Sequence, residues 1–110
     1  MAFVPQAKNV EVIEASPERL DVRGALTFPT ARRAYEAGLR VLRKTGPSNV
    51  ALQVDCAGVT ESDSAGLAVL IEWLAAGVRL GREVRFSNLP DGIRAAAQIS
   101  DVTALLEPAA

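Results

Sequence analysis

The sequence predicts an α/β fold: a mixed four-stranded sheet with helices packed against it, in the order β-β-α-β-α-β-α-α. Three observations predict it. Short runs that alternate apolar and polar residues, the period of a half-buried strand, occur around residues 10, 20, 52 and 85. Two longer runs, over residues 31–44 and 64–79, carry apolar residues at helical spacing. Glycine, proline and asparagine punctuate the joins between them. The later strand–helix–strand pieces require right-handed crossovers and hence parallel pairing, whereas the first two strands, joined by a short turn, form an antiparallel hairpin.

Each element has its own signal. Residues 9–14 read as an edge strand, with Val10 and Val12 on one face and Ile13 out of phase. Ala15-Ser16-Pro17-Glu18 reads as a turn. Residues 19–23 alternate cleanly, Leu20 and Val22 against Arg19, Asp21 and Arg23, and Gly24 is expected to break that strand. Thr27 and Thr30 are candidate caps for a first helix over 31–44, whose Ala31, Ala34, Tyr35, Leu39 and Leu42 face inward while its arginines face water. Thr45-Gly46-Pro47-Ser48 stops it. Residues 50–54 form a central strand with Val50, Leu52 and Val54 on one face, and a loop follows.

The second helix runs over about 64–79. Leu67, Leu70, Ile71, Leu74 and Val78 make its main apolar stripe, and Val69, Trp73 and Ala76 a neighbouring one. Gly81 ends it, and residues 83–87 form the fourth strand with Val84 and Phe86 inward. Asn88 as cap and Pro90 in the first turn open a third helix with Ile93, Ala96 and Ala97 on its core side. Ser100-Asp101 caps a last turn carrying Val102, Leu105 and Leu106, and Pro108 ends it. Residues 1–8 read as a frayed start.

Composition narrows the function. A chain of 110 residues is expected to form one domain, with its core over about 9–107. With 49% hydrophobic and 23% charged residues it is globular. A net charge of -1 argues against nucleic acid as main partner. A single cysteine, Cys56, rules out an internal disulfide and suits a reducing compartment. The absence of histidine removes the commonest general base and metal ligand, and neither a Walker loop nor a dinucleotide glycine pattern is present. No apolar run approaches the ~20 residues of a membrane span, and the start is too short and polar for a signal peptide. The expectation is a soluble cytoplasmic protein, not inserted in the membrane and not an enzyme.

Small and polar residues crowd the stretch from Asp55 to Leu67, where strand gives way to helix. Free N–H groups and the positive end of the helix dipole face outward there. Ser62, Asp63 and Ser64 are all capping types. Ser64 is either a plain first-turn residue or an exposed contact or switch, to which a phosphate would add roughly -1.5 to -2 charges. Asp63 either caps or meets a donor on a partner. Gly66, costing about 1 kcal/mol in a helix, signals close approach of another backbone or tolerance near the helix end. Trp73 is either core or, lying beside the main stripe, outward and partner-facing. Cys56 reads as a small buried hydrophobe. Asp55, Glu61 and Asp63 match no metal motif.

The element order, and Asp63-Ser64-Ala65-Gly66-Leu67 in particular, resemble a STAS domain, whose marker is a strand, a loop ending Asp-Ser/Thr-small-Gly-Leu, then a helix. The resemblance covers nearly the whole chain, about residues 10–106, and implies the STAS fold. In anti-sigma factor antagonists of the family, the residue matching Ser64 is phosphorylated by a kinase that is also the anti-sigma factor. In MlaB-type members the domain binds the ATPase of the Mla ABC transporter, which moves phospholipid for outer-membrane lipid asymmetry, and the matching residue lies at the contact. Antagonists usually carry Gly-x-Leu/Ile-Asp after the second strand. Here Gly24-Ala25-Leu26-Thr27-Phe28-Pro29-Thr30 lacks that Asp and resembles the MlaB pattern, as does Arg85-Phe86-Ser87-Asn88-Leu89-Pro90 with Ile99-Ser100-Asp101-Val102 after an Ala-rich helix.

The resemblance therefore implies a non-enzymatic transporter subunit, cytoplasmic and peripheral to the inner membrane through the complex. Its partners would be the ABC ATPase with its membrane permease. Asp63, Ser64, Ala65, Gly66 and Trp73 would be the partner-binding residues, with no cofactor and no metal. The alternative is an antagonist switched by phosphorylation of Ser64, its partner an anti-sigma factor kinase. A small-ligand-binding module is a third class, for which the sequence carries no pocket signature.

Overall fold

Alternation along the strands builds a sheet with one dry and one wet face. In the computed structural model of the chain, which describes residues 9–45 and 47–107, β1 (Val10–Ser16) and β2 (Arg19–Leu26) form the antiparallel hairpin. β2 then pairs in parallel with β3 (Leu52–Ser62), and β3 in parallel with β4 (Val84–Ser87), giving the order β1-β2-β3-β4. Leu20, Val22, Leu52, Val54, Cys56 and Val84 are buried, while Arg19, Arg23, Gln53 and Arg85 alternate with them and are exposed. The helices α1 (Phe28–Thr45), α2 (Ser64–Leu80), α3 (Asp91–Ile99) and the short α4 (Thr103–Leu106) supply the rest of the core. The expected frayed start at residues 1–8, Gly46 of the helix stop and Pro108 lie outside the described residues.

Two strands outrun their sequence signals. Gly24 does not break β2. It takes φ +87, the register shifts after it, and Ala25 N–H donates to the Asn9 carbonyl at 2.9 Å. A Cβ at Gly24 would stand 2.3 Å from that carbonyl oxygen, so the hairpin closes only over glycine. β3 likewise continues through the stretch expected to be a loop, because Gly24, Ala25 and Leu26 of β2 pair with Val59, Glu61 and Ser62. An available parallel partner overrides a composition poor in strand formers. The strand-to-helix join shrinks to Asp63 alone. Val50, expected to face inward, precedes β3 and is 48% exposed.

The rotation of α2 also differs from expectation. Its buried residues are Gly66, Leu67, Val69, Leu70, Trp73, Ala76 and Gly77, whereas Ile71 and Leu74 are half-buried and Val78 is 83% exposed. A helix that is apolar almost all round has no polar face to fix its rotation. Steric fit fixes it instead. Trp73, 1% exposed, lies against Gly38 of α1, where a Cβ would stand 2.3 Å from the indole Cε2. Its Nε1–H donates to the Tyr35 carbonyl at 3.1 Å. Trp73 is thus the centre of the α1–α2 contact, and its assignment to a partner surface is corrected.

The later caps shift as well. Asn88 takes φ +55 and its amide donates to Asp55 Oδ1 at 3.0 Å, so it does not cap α3, which begins after Pro90. Ser100 closes α3, Asp101 turns with φ +57, and Val102 precedes α4. Ile93, Ala97 and Leu106 are buried, and Leu105 is exposed. Gly81 ends α2 as expected, at φ +76.

At the N-terminal end of the parallel strands the chain is fastened by Arg82, 5% exposed. Its Nε donates to the Val50 carbonyl (3.1 Å), Nη1 to Thr45 Oγ1 (2.7 Å) and Nη2 to the Pro17 carbonyl (2.8 Å). One planar guanidinium thereby joins the hairpin turn, the end of α1 and the entry to β3.

Candidate functional site

At the opposite end, β2 and β3 finish side by side with Leu26 paired to Ser62. Each is followed by one residue and then a helix, Thr27 before α1 and Asp63 before α2. The two helix N-termini therefore emerge together. Asp63, extended at φ -145 and ψ -170, accepts from the N–H groups of Ala65 (2.9 Å) and Gly66 (3.2 Å) through Oδ1. Its Oδ2 accepts from the N–H of Phe28 at 3.0 Å. One carboxylate serves the first turns of both helices, where their dipoles favour a negative charge.

The threonines expected to cap α1 do something else. Thr30 Oγ1, fully buried, donates to the Ala25 carbonyl at 2.6 Å and accepts from Thr27 N–H at 3.0 Å. That pair of bonds locks the turn out of β2, while the cap itself comes from Asp63. Gly66 is buried, and a Cβ there would meet the Leu26 carbonyl oxygen at 2.4 Å. It lets α2 lie on the end of β2, so its place among residues touching a partner is corrected to a spacing role. Gly92 likewise brings the start of α3 close to Ser62, whose Oγ a Cβ would meet at 2.8 Å.

Of the motif residues, Ser64 is left exposed as the first residue of α2, Ala65 is half-buried, and the Asp63 carboxylate is occupied by backbone donors. Beside them Phe28 is 79% exposed, followed by exposed Pro29. Sequence reasoning missed Phe28. Its signal was an aromatic directly before proline at a helix start, hidden because the helix was expected to begin at residue 31.

Two titratable groups further back along β3 have other tasks. Asp55 accepts from Asn88 Nδ2, from Ala57 N–H (2.9 Å) and from Arg19 Nη2 (2.7 Å) on the wet face of the sheet. The Asn88 amide first, then the Ala57 N–H and the Arg19 charge, hold its carboxyl below the usual aspartate value. Cys56 is buried, and burial together with the Asp55 charge pushes its thiol up to about 12, which keeps it from acting as a nucleophile near neutral pH. Among the described residues no three His, Cys, Asp or Glu side chains are grouped to hold a metal, and no helix is long and apolar enough to cross a membrane.

A mixed sheet with the Asp63-Ser64-Ala65-Gly66-Leu67 join leading into α2 defines a STAS domain. A family model described as "Mlab, STAS domain" matches residues 11–107, and the chain belongs to that family. Among solved structures it is similar to the anti-sigma factor antagonist SpoIIAA in its unphosphorylated form. The two are 11% identical, the match covers 92% of this chain and 88% of that one, and the TM-score is 0.65, a likeness of fold. No curated protein matches the sequence. The chain is thus a STAS domain related in fold to anti-sigma factor antagonists, and STAS domains act through protein–protein contacts, generally as non-catalytic binding modules.

Proposed function

We propose that the chain is a non-catalytic, cytoplasmic subunit of an Mla-type ABC transporter, held at the inner membrane by the complex. It docks on the transporter ATPase, beneath the permease, and supports phospholipid transport for outer-membrane lipid asymmetry. The observation that carries this reading is the pair of exposed residues, Phe28 and Ser64, on two helix starts tied by one carboxylate. An edge held rigid before binding loses little conformational freedom on docking. An exposed aromatic is the usual anchor of such a contact, and burying the Phe28 ring contributes about 1.5–3 kcal/mol. Asp63 and Gly66 position the edge; Ser64, with Ala65 and Pro29 beside it, meets the partner. The family description, and Thr27 standing where antagonists of the family usually carry Asp, support the transporter over the sigma-factor pathway. Binding preferentially to the competent ATPase arrangement would raise its population.

The second reading, a phosphorylation-switched antagonist, is favoured by one observation: the exposed Ser64 hydroxyl sits at a helix N-terminus whose dipole stabilises a phosphate. Co-expression with the ATPase and permease of the same host tests both. The wild type elutes with the ATPase, Ser64→Glu separates from it, and Ser64→Ala keeps most of the complex. Equal retention of wild type and Ser64→Glu sinks the docking edge. A co-purifying serine kinase, with phosphate on Ser64, moves the function to the sigma-factor pathway.

A further inference from the structure

The outward face of α1 is charged far out of proportion to the chain. It carries Arg32, Arg33, Arg40, Arg43 and Lys44 against Glu36 alone, all exposed. That is net +4 on one helix of a chain whose total is -1, so the remaining residues together carry -5. Arg32 is paired with Glu36 at 3.3 Å and Lys44 with Glu14 of β1. Arg33, Arg40 and Arg43 have no carboxylate partner among the described residues. The helix rises about 1.5 Å per residue, so the charges from Arg32 to Lys44 lie along about 18 Å, and the helix begins at Phe28.

We infer that this face of α1 continues the docking edge and receives an acidic strip on the partner protein; the inference rests on the docking reading above. Four of the five cations are arginines, whose planar forks suit paired carboxylates and lose little order on binding them. Phe28 at the head of the stripe supplies an apolar anchor, and the charges behind it set orientation and approach rate. An anionic membrane is the less fitting occupant. The apolar side of α1, with Ala34 and Leu42, is turned into the core, so no apolar face remains to enter a bilayer. Glu36 sits within the stripe, and the -5 carried elsewhere repels any anionic surface broader than the helix. A bounded acidic strip fits the helix without meeting that repulsion.

The test uses tagged full-length wild type, the triple variant Arg33→Glu/Arg40→Glu/Arg43→Glu, and Ser64→Glu. The partner retained by the wild type from its host is identified by mass spectrometry and purified, and its affinity for each form is titrated at low and high salt. The same forms are sedimented with phosphatidylglycerol vesicles. The triple variant is expected to bind the partner at least about tenfold more weakly at low salt and to lose most of the salt dependence, with an unchanged melting curve and no retention of any form on vesicles. If the glutamates shift the melting curve, the Arg→Gln triple is read instead, with the same sign. Equal affinity and equal salt dependence for wild type and triple variant overturn the inference. Retention of the wild type on vesicles, lost in the triple variant while partner affinity stays the same, overturns it in favour of a membrane. A loss with Ser64→Glu and none with the triple variant leaves the docking edge standing and removes its extension. A loss with the triple variant and none with Ser64→Glu keeps the basic stripe and removes the edge. A wild type that retains no partner overturns both.

Discussion

At one end of the sheet Asp63 gathers three backbone N–H groups from two helices, and at the other Arg82 gathers two carbonyls and a hydroxyl from three segments. Both are ionised side chains that join elements distant in sequence. They differ in what surrounds them. Arg82 is closed over, and of the three residues it ties Thr45 is half-buried while the exposed Pro17 and Val50 offer only aliphatic side chains. Asp63 is half-buried, and the chain on either side of its bonds presents Phe28 and Ser64. The same device is structural at one end and, with its neighbours left uncovered, a platform at the other. Stability should therefore concentrate at the Arg82 end and binding at the Asp63 end.

Arg82→Met gives the largest stability effect. It takes the guanidinium donors from the part-buried Val50 and Pro17 carbonyls and from the Thr45 hydroxyl, which keeps its bonds to the Val41 and Leu42 carbonyls, and urea unfolding should show a loss of about 2–3 kcal/mol. Arg82→Lys should recover little of it, since an ammonium cannot reach three acceptors in a planar fork. Asp63→Ala should cost about 1–2 kcal/mol by the same measurement, the value of a helix cap, and should also weaken docking, which Arg82→Met in its folded fraction should not. A version of Asp63→Ala that binds as well as wild type would erase the contrast between the ends.

Asp55, on the wet face and away from both ends, provides a pH control. Its folded pKa is depressed, so its bonds stabilise the fold above the ordinary aspartate value and the contribution fades as pH falls through the folded value. Wild type should be more stable than Asp55→Asn at neutral pH, and the two should converge in acid below about pH 4. Phe28→Ala closes the series. Its ring is in water, so stability should move by less than about 0.5 kcal/mol, while affinity for the ATPase should fall by about tenfold or more in a titration.

How much of this was legible follows sequence distance. The hairpin, the glycine that ends α2 and the Asp63 cap of α2 are local, and the residues that make them are neighbours. The reach of Asp63 to Phe28, and of Arg82 to Pro17, Thr45 and Val50, spans 35, 65, 37 and 32 positions and leaves no local pattern. Gly24 looked like a strand end because its parallel partner, Val59, lies far along the chain. Trp73 looked free to face outward because α2 is apolar nearly all round, and only Gly38, on another helix, decides which way it turns. Ser64 was legible as a candidate contact because exposure at a first helical turn is a local property; Phe28 was not, because its exposure follows from where α1 begins.

The most direct test of the central claim is amide hydrogen exchange on the chain free and bound to the transporter ATPase. Residues 27–33 and 63–68 should gain the most protection on binding, the rest of α1 as far as Lys44 should gain less, and the segments around residues 17 and 50 should exchange as before. Protection at the Arg82 end, with the starts of α1 and α2 unchanged, would contradict the account.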